Sequence, residues 1–253
     1  MSKIITITSC KGGTGKTINT LNLAATYSKM NKKVLIIDLD FYSNAISTIL
    51  NLEIDKDFYT LAEDIKNNKV DDINKYIIKY KENIDVLSSP KDLRTANKID
   101  GKYLKQILSK LSSNYDIILI DTNYFLNDIN LFALDLSDKM LYIINNDPVC
   151  LKTIKSMITI YNDLAKGNYE IVLDNSINNL KSDFTTSYIK NFIGYDIKYI
   201  IPHTFHINNI YEYIKNGKIL LLDSIIRKKH KKVVNIYEKL ATDLISEETL
   251  WEV

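Results

Sequence analysis

The sequence predicts a doubly wound α/β fold, a single mostly parallel sheet flanked by helices. Apolar runs alternate with helix-length segments along all 253 residues, the rhythm of repeated strand–helix–strand units. Several of these runs are continuous and β-branched, as strands buried on both faces require. A glycine-rich loop joins the first run to the first helical pattern. In such sheets ligands gather at the carboxyl ends of the strands, so that loop and its neighbours are where chemistry is expected.

Strands are expected at residues 4–8, 34–38, 84–87, 117–121, 140–145, 171–174 and 197–201. Helices are expected at 103–111, 127–137, 151–164, 184–192 and 225–245. The polar stretch 52–83, with short helical pieces at 61–66 and 73–80, reads as a surface excursion between the second and third strands. No repeat or Pro/Gly-rich linker divides the chain, which predicts one domain over 1–253.

Composition narrows the function. The formal charge is +2, so bulk charge does not announce nucleic acid, and any such site must be a local patch. Cys10 and Cys150 lack CxxC spacing and are expected as free thiols in a reducing, cytoplasmic compartment. The chain enters a strand at Lys3, which leaves no room for an expected signal peptide. No apolar run approaches the roughly 20 residues of a membrane span. His203, His206 and His230 show no metal spacing and are expected to be structural or solvated.

The loop reads Cys10-Lys11-Gly12-Gly13-Thr14-Gly15-Lys16-Thr17 and holds three of the chain's seven glycines. Glycines let backbone N–H groups approach an anion, and a helix N-terminus adds its positive dipole end. Strand, glycine loop and helix form the context of a phosphate cradle. Lys16 would reach β- and γ-phosphates and the Thr17 hydroxyl would ligate Mg²⁺. Nucleotide contacts are expected from Lys11 through Thr17 and from Ile18, with ATP and Mg²⁺ as cofactors.

Two further stations end strands. Asp38-Leu39-Asp40 closes the second, with Asn44 following, and Asp121 closes the hydrophobic run 117–121 in a Walker B pattern. A carboxylate there would hold Mg²⁺, which sheds its hydration shell reluctantly. Capping of the next helix is the other reading of the acidic pair.

With Lys11 at the head of the loop, the chain resembles the deviant Walker A motif of the ParA/MinD family of dimerising P-loop ATPases. The resemblance implies a P-loop NTPase fold and a homodimer formed on ATP binding. In that dimer Lys11 touches the partner's bound phosphates, the job of an arginine finger. It implies that Asp40 orients the attacking water and that Asp38 lies near the metal. The catalytic set is thus Lys11, Lys16 and Asp40, and the metal set Thr17, Asp38 and Asp121. The family's Pro-Gln-Gly after the acidic pair is replaced by Phe41, Tyr42 and Ser43, and its prolines after Asp121 by Asn123 and Tyr124. Near the base the resemblance places an Asn that reads adenine, filled by Asp174 or Asn175 depending on register, and an Ile-Pro matched by Ile201 and Pro202.

Residues 227–232 form the concentrated basic run. On one helix, Ile226, Val233, Tyr237, Leu240 and Leu244 would face the core. Arg227 with Lys231, and Lys228 with Lys232, would then lie one turn apart on exposed sides. ParA proteins bind DNA non-specifically through C-terminal basic residues, so this run is either a phosphate-contacting analogue or a solvated face. The tail 246–253 is acidic, and an anionic lipid surface would repel it, so no direct membrane anchor is expected.

The resemblance implies a slow, partner-stimulated Mg²⁺-dependent ATPase used as a positional switch. Plasmid or chromosome partitioning with a ParB-like adaptor is the leading reading. A CpaE/TadZ-like ATPase that positions pilus or secretion machinery is the alternative, suggested by Pro90 and by the 127–155 layout with Asp147 and Pro148. An iron–sulfur member of the fold and a non-hydrolysing scaffold are two further readings.

Overall fold

The computed structural model describes residues 2–81, 83–176, 184–207 and 210–246. In chain order they form β1 (Lys3–Thr8), α1 (Lys16–Lys29), β2 (Val34–Asp38), α2 (Ala45–Leu50), α3 (Phe58–Lys66), β3 (Ile78–Lys81), β4 (Ile84–Leu87), α4 (Lys102–Leu111), β5 (Ile117–Asp121) and α5 (Asp128–Asp135). The second half gives β6 (Lys139–Ile144), α6 (Pro148–Asp163), β7 (Tyr169–Asp174), α7 (Thr186–Ile193), β8 (Tyr199–Ile201), α8 (Ile210–Lys215), α9 (Ser224–Lys229) and α10 (Lys231–Ile245). The eight strands form one sheet in the order β3-β4-β2-β5-β1-β6-β7-β8. Every neighbouring pair is parallel except β3 with β4.

The strands lack hydrophobic alternation because both faces are covered. On one face Ile5, Ile7, Ile36, Leu119, Leu141 and Ile143 pack with α1 and α10. On the other, Leu35, Ile37, Ile118 and Ile120 meet α3 and α4, while Tyr142, Ile144, Ile171 and Leu173 meet α6 and α7. Up to β5 the chain fills one side of β1, and from β6 onward it fills the other. The loop after β1 therefore opens where the direction of travel across the sheet reverses, the usual place for a ligand.

Seven strands fall where the sequence predicts them, within two residues at each end. Two expectations fail. Residues 52–83 are not a mere surface excursion. Phe58, Leu61, Ala62 and Ile65 of α3 are buried against the sheet, and Ile73–Tyr76 is a single 3₁₀ turn. Residues 78–80, the end of the piece read as helix, join Lys81 in β3, an antiparallel edge strand. Its two charged positions face outward, which left too little apolar signal to read.

The 225–245 helix is broken as well. His230 takes φ −115° and ψ 44°, ending α9 and preceding α10. Its ring stands edge-on to Phe205 with centroids 5.3 Å apart. Ile226, Val233, Tyr237, Leu240 and Leu244 are nevertheless all buried. Among the described residues no helix is long and apolar enough to cross a membrane, and the acidic tail 247–253 lies outside them.

Because α3 belongs to the core, Phe58→Ala should cost about 3–5 kcal/mol in urea-induced unfolding. A loss within about 0.5 kcal/mol, typical of surface sites, would return the segment to the periphery.

Candidate functional site

The loop between β1 and α1 is shaped by two left-handed glycines, Gly13 at φ 75° and Gly15 at φ 92°. Side chains rarely adopt that region. Gly15 is the N-cap of α1 and makes no side-chain hydrogen bond, so the first N–H groups of the helix face the loop without a competing acceptor. The Thr14 hydroxyl is buried with no hydrogen-bond partner. Lys16 is buried at the first position of α1. A Cβ on Gly12 would lie 3.3 Å from the Tyr124 ring, so this aromatic covers the head of the loop. Ile18 is the exception, because its side chain packs on the core beside α2 and α8, leaving only its backbone available.

Opposite the loop, β5 presents Asp121, fully buried. Its two oxygens accept from the hydroxyls of Thr17 at 2.8 Å and Thr20 at 2.9 Å. Burial pushes this carboxyl up to about 6, while Thr17, Lys16 and Thr20 hold it back. Asp38 pairs in register with Asp121 on the adjacent strand. Burial first, and the Asp121 charge second, drive its carboxyl well above the ordinary range. Asp38 accepts from the Asp40 N–H at 3.0 Å and from Ser89 at 3.1 Å. The Asn44 amide donates to the Pro90 carbonyl at 2.9 Å, fixing the bend that leaves Asp40 at the partly exposed rim.

This donor set fits a hard divalent cation. Two carboxylates and a hydroxyl supply the oxygen ligands Mg²⁺ prefers, with the remaining positions left for water and phosphate. Among the described residues no group of three or more His, Cys, Asp or Glu could hold a metal ion by itself. The left-handed glycines and the partnerless Thr14 hydroxyl fit a polyphosphate.

Lys11 leaves the loop in another direction. Its ammonium lies 2.6 Å from Oδ2 of Asp147, and this contact holds the Asp147 carboxyl below its usual range. Asp147 also caps α6, its Oδ1 accepting from the N–H groups of Val149 and Cys150 at 3.0 Å each. Cys10 and Cys150 are free thiols. Burial, then the charge of Cys150, pushes Cys10 up to about 12.

Beside the first turn of α1, Asp174 and Asn175 have different commitments. Asp174 is buried and committed to the scaffold. It accepts from Asn19 at 2.7 Å and from the N–H and hydroxyl of Ser176 at 2.8 and 2.6 Å. Asn175 donates its N–H to the Ile201 carbonyl, and its buried side-chain oxygen has no partner. Pro202 follows β8 directly and begins the 3₁₀ turn His203–Phe205. The sequence pointed to neither Asn19 nor Thr20, and it placed Tyr237 in the core without its link to the site. Asn19 links the Gly15 carbonyl, Asp174 and the Tyr237 hydroxyl, which donates to it at 2.7 Å. For Asn19 and Thr20 the signal was their place in the first turns of α1, buried polar residues directly after the glycine loop.

The basic run is separate from this site. Arg227 is bound to Glu238 at 2.9 Å and is not a free cation. It sits on α9 whereas Lys231 and Lys232 begin α10, so the one-turn spacing expected of a continuous helix does not hold. Lys228, Lys231 and Lys232 are exposed.

Comparison with known proteins agrees with this architecture. The family described as "AAA domain" matches residues 2–184. The sporulation initiation inhibitor protein Soj of Bacillus subtilis is 35% identical over 148 residues, 56% of this chain and 57% of that protein. The chain spans about half the length of the curated relatives it matches. The septum site-determining protein MinD complexed with Mg-ADP from Pyrococcus horikoshii shares the fold with a TM-score of 0.77, at 24% identity over 97% of both chains. A ParA family ATPase from Chlorobium tepidum does so at 0.79 and 17% identity, over 96% of this chain and 99% of that one.

The buried Asp174 carries a sign for pH dependence. Burial raises its carboxyl above the ordinary carboxylate range, so the folded chain keeps the proton longer than the unfolded chain. Its contribution is full below about pH 4 and is lost as pH rises through the folded value. Urea titrations upward from about pH 4 should show the decline, and Asp174→Asn should make it shallower, with Asp38 and Asp121 supplying the remainder. Equal slopes in the two proteins would clear Asp174 as the source.

Proposed function

The chain belongs to the AAA-domain family of ParA/MinD-like P-loop ATPases, and from that membership we propose that it is a Mg²⁺-dependent ATPase that dimerises on ATP. One observation carries the reading. The Thr17 hydroxyl is hydrogen-bonded to Asp121 directly beyond the Gly13–Gly15 cradle, with Asp40 at the rim.

In this reading Lys16 and the loop N–H groups bind the β- and γ-phosphates, and Asn175 with Pro202 holds the base. Thr17, Asp121 and Asp38 hold the metal, which when bound neutralises charge on the phosphates. Burial raises both carboxyls above the ordinary range, and metal binding needs them ionised, so metal affinity should increase with pH. Asp40 orients the attacking water, and Lys11 reaches the nucleotide of a second copy. Binding the γ-phosphate favours the paired state and hydrolysis removes that preference.

The switch would serve partitioning in the cytoplasm, with a ParB-like adaptor and DNA held by Lys228, Lys231 and Lys232. Such contacts are to phosphates and fall steeply with salt. The Asp147-Pro148 start of α6 and Pro90 favour the CpaE/TadZ-like alternative, in which the cargo is a pilus or secretion apparatus.

Lys16→Ala should abolish binding of a fluorescent ATP analogue. Asp40→Ala should keep binding yet lower phosphate release about 100-fold or more, the scale of a lost acid–base or orienting group. Wild-type turnover in Asp40→Ala would remove the assigned role. ATP-dependent retardation of DNA that weakens in Lys228→Ala/Lys232→Ala would favour partitioning, and its absence in the wild type would favour the machinery-positioning alternative.

A further inference from the structure

Lys11 and Asp147 lie 136 positions apart and meet at 2.6 Å. The side chains are 43% and 25% exposed, so the pair sits at the solvent edge, where a second molecule can compete for it. The backbone beneath Lys11 is fixed. Ser9 donates its hydroxyl to the Lys11 carbonyl at 2.7 Å, and Gly12 lies under Tyr124. Asp147 is fixed too, because its other oxygen caps α6. The lysine side chain is therefore the movable member, and it must leave Asp147 to reach anything else.

We propose that Asp147 is a positioning residue for Lys11. It holds the ammonium on its own chain until a second copy offers phosphate oxygens, and so sets the protein concentration at which ATP pairs two chains. The inference rests on the reading that Lys11 acts on a second copy's nucleotide. The exchange has a built-in selectivity. A nucleotide-free second copy offers Lys11 no anion to replace the carboxylate it gives up. A triphosphate offers several charge-assisted acceptors, so the release is favourable only for a loaded partner. Half-exposed ion pairs are individually weak, which suits a threshold that ATP must cross readily.

The test compares wild type and Asp147→Asn by sedimentation velocity over a range of protein concentrations, with and without a non-hydrolysable ATP analogue. Asn caps a helix about as well as Asp, so α6 and thermal stability should be preserved. With analogue, Asp147→Asn should dimerise at a concentration about three- to thirty-fold lower, since two such pairs break per dimer. Fluorescent-nucleotide affinity per chain should not change. In a Lys11→Ala background, adding Asp147→Asn should have no further effect, which separates positioning of Lys11 from helix capping. An unchanged or higher threshold in Asp147→Asn, or a shift that persists without Lys11, would overturn the inference. A wild type that stays monomeric with analogue at every concentration would instead overturn the dimer reading, and the inference with it.

Discussion

The contact between α1 and the end of β5 is the constraint from which the site follows. Asp121 is buried at the centre of the sheet and accepts from Thr17 and Thr20 on successive turns of α1. A buried carboxylate without partners is costly, so these hydroxyls tie the helix start to the strand end. The Gly13–Gly15 cradle, the metal-side oxygens and Lys16 then stand in one place without further instruction. The same desolvation that makes Asp121 demanding pushes it up to about 6, which readies it for a cation.

A second tie works from the opposite side of α1. Asn19 bonds Gly15, Asp174 and Tyr237, joining the phosphate loop to the end of β7 and to α10. This network is buried and polar, and one lost partner would leave the others unsatisfied. It also divides labour between adjacent residues. Asp174 is spent on the scaffold, which leaves the side chain of Asn175 as the open acceptor.

The segments around the site have two kinds of support. Just after Asp121, the Asn123 side chain accepts from Phe125 N–H at 2.8 Å and from Asn130 at 2.7 Å. The turn is thereby braced by amides, and Tyr124 is laid over Gly12. The Lys11 side chain is held by its charged contact with Asp147 at the solvent edge. A hydrogen-bonded turn is a fixed feature, whereas a solvent-edge ion pair can exchange partners.

Much was legible in the sequence because the signals were local. The unbroken apolar strands, the glycine spacing of 12, 13 and 15, and carboxylates closing strands at 38 and 121 each fix their own backbone or burial. What stayed hidden depended on contacts between distant residues. The edge strand β3 needed β4 beside it, the break at His230 needed Phe205 against its ring, and α3 became core only because the sheet lies beneath it. Likewise, nothing near residue 11 pointed to Asp147, and nothing near 174 told which of two neighbours faced inward. Local periodicity and backbone sterics are written in consecutive residues, whereas pairing across the sheet is decided by the packed chain as a whole.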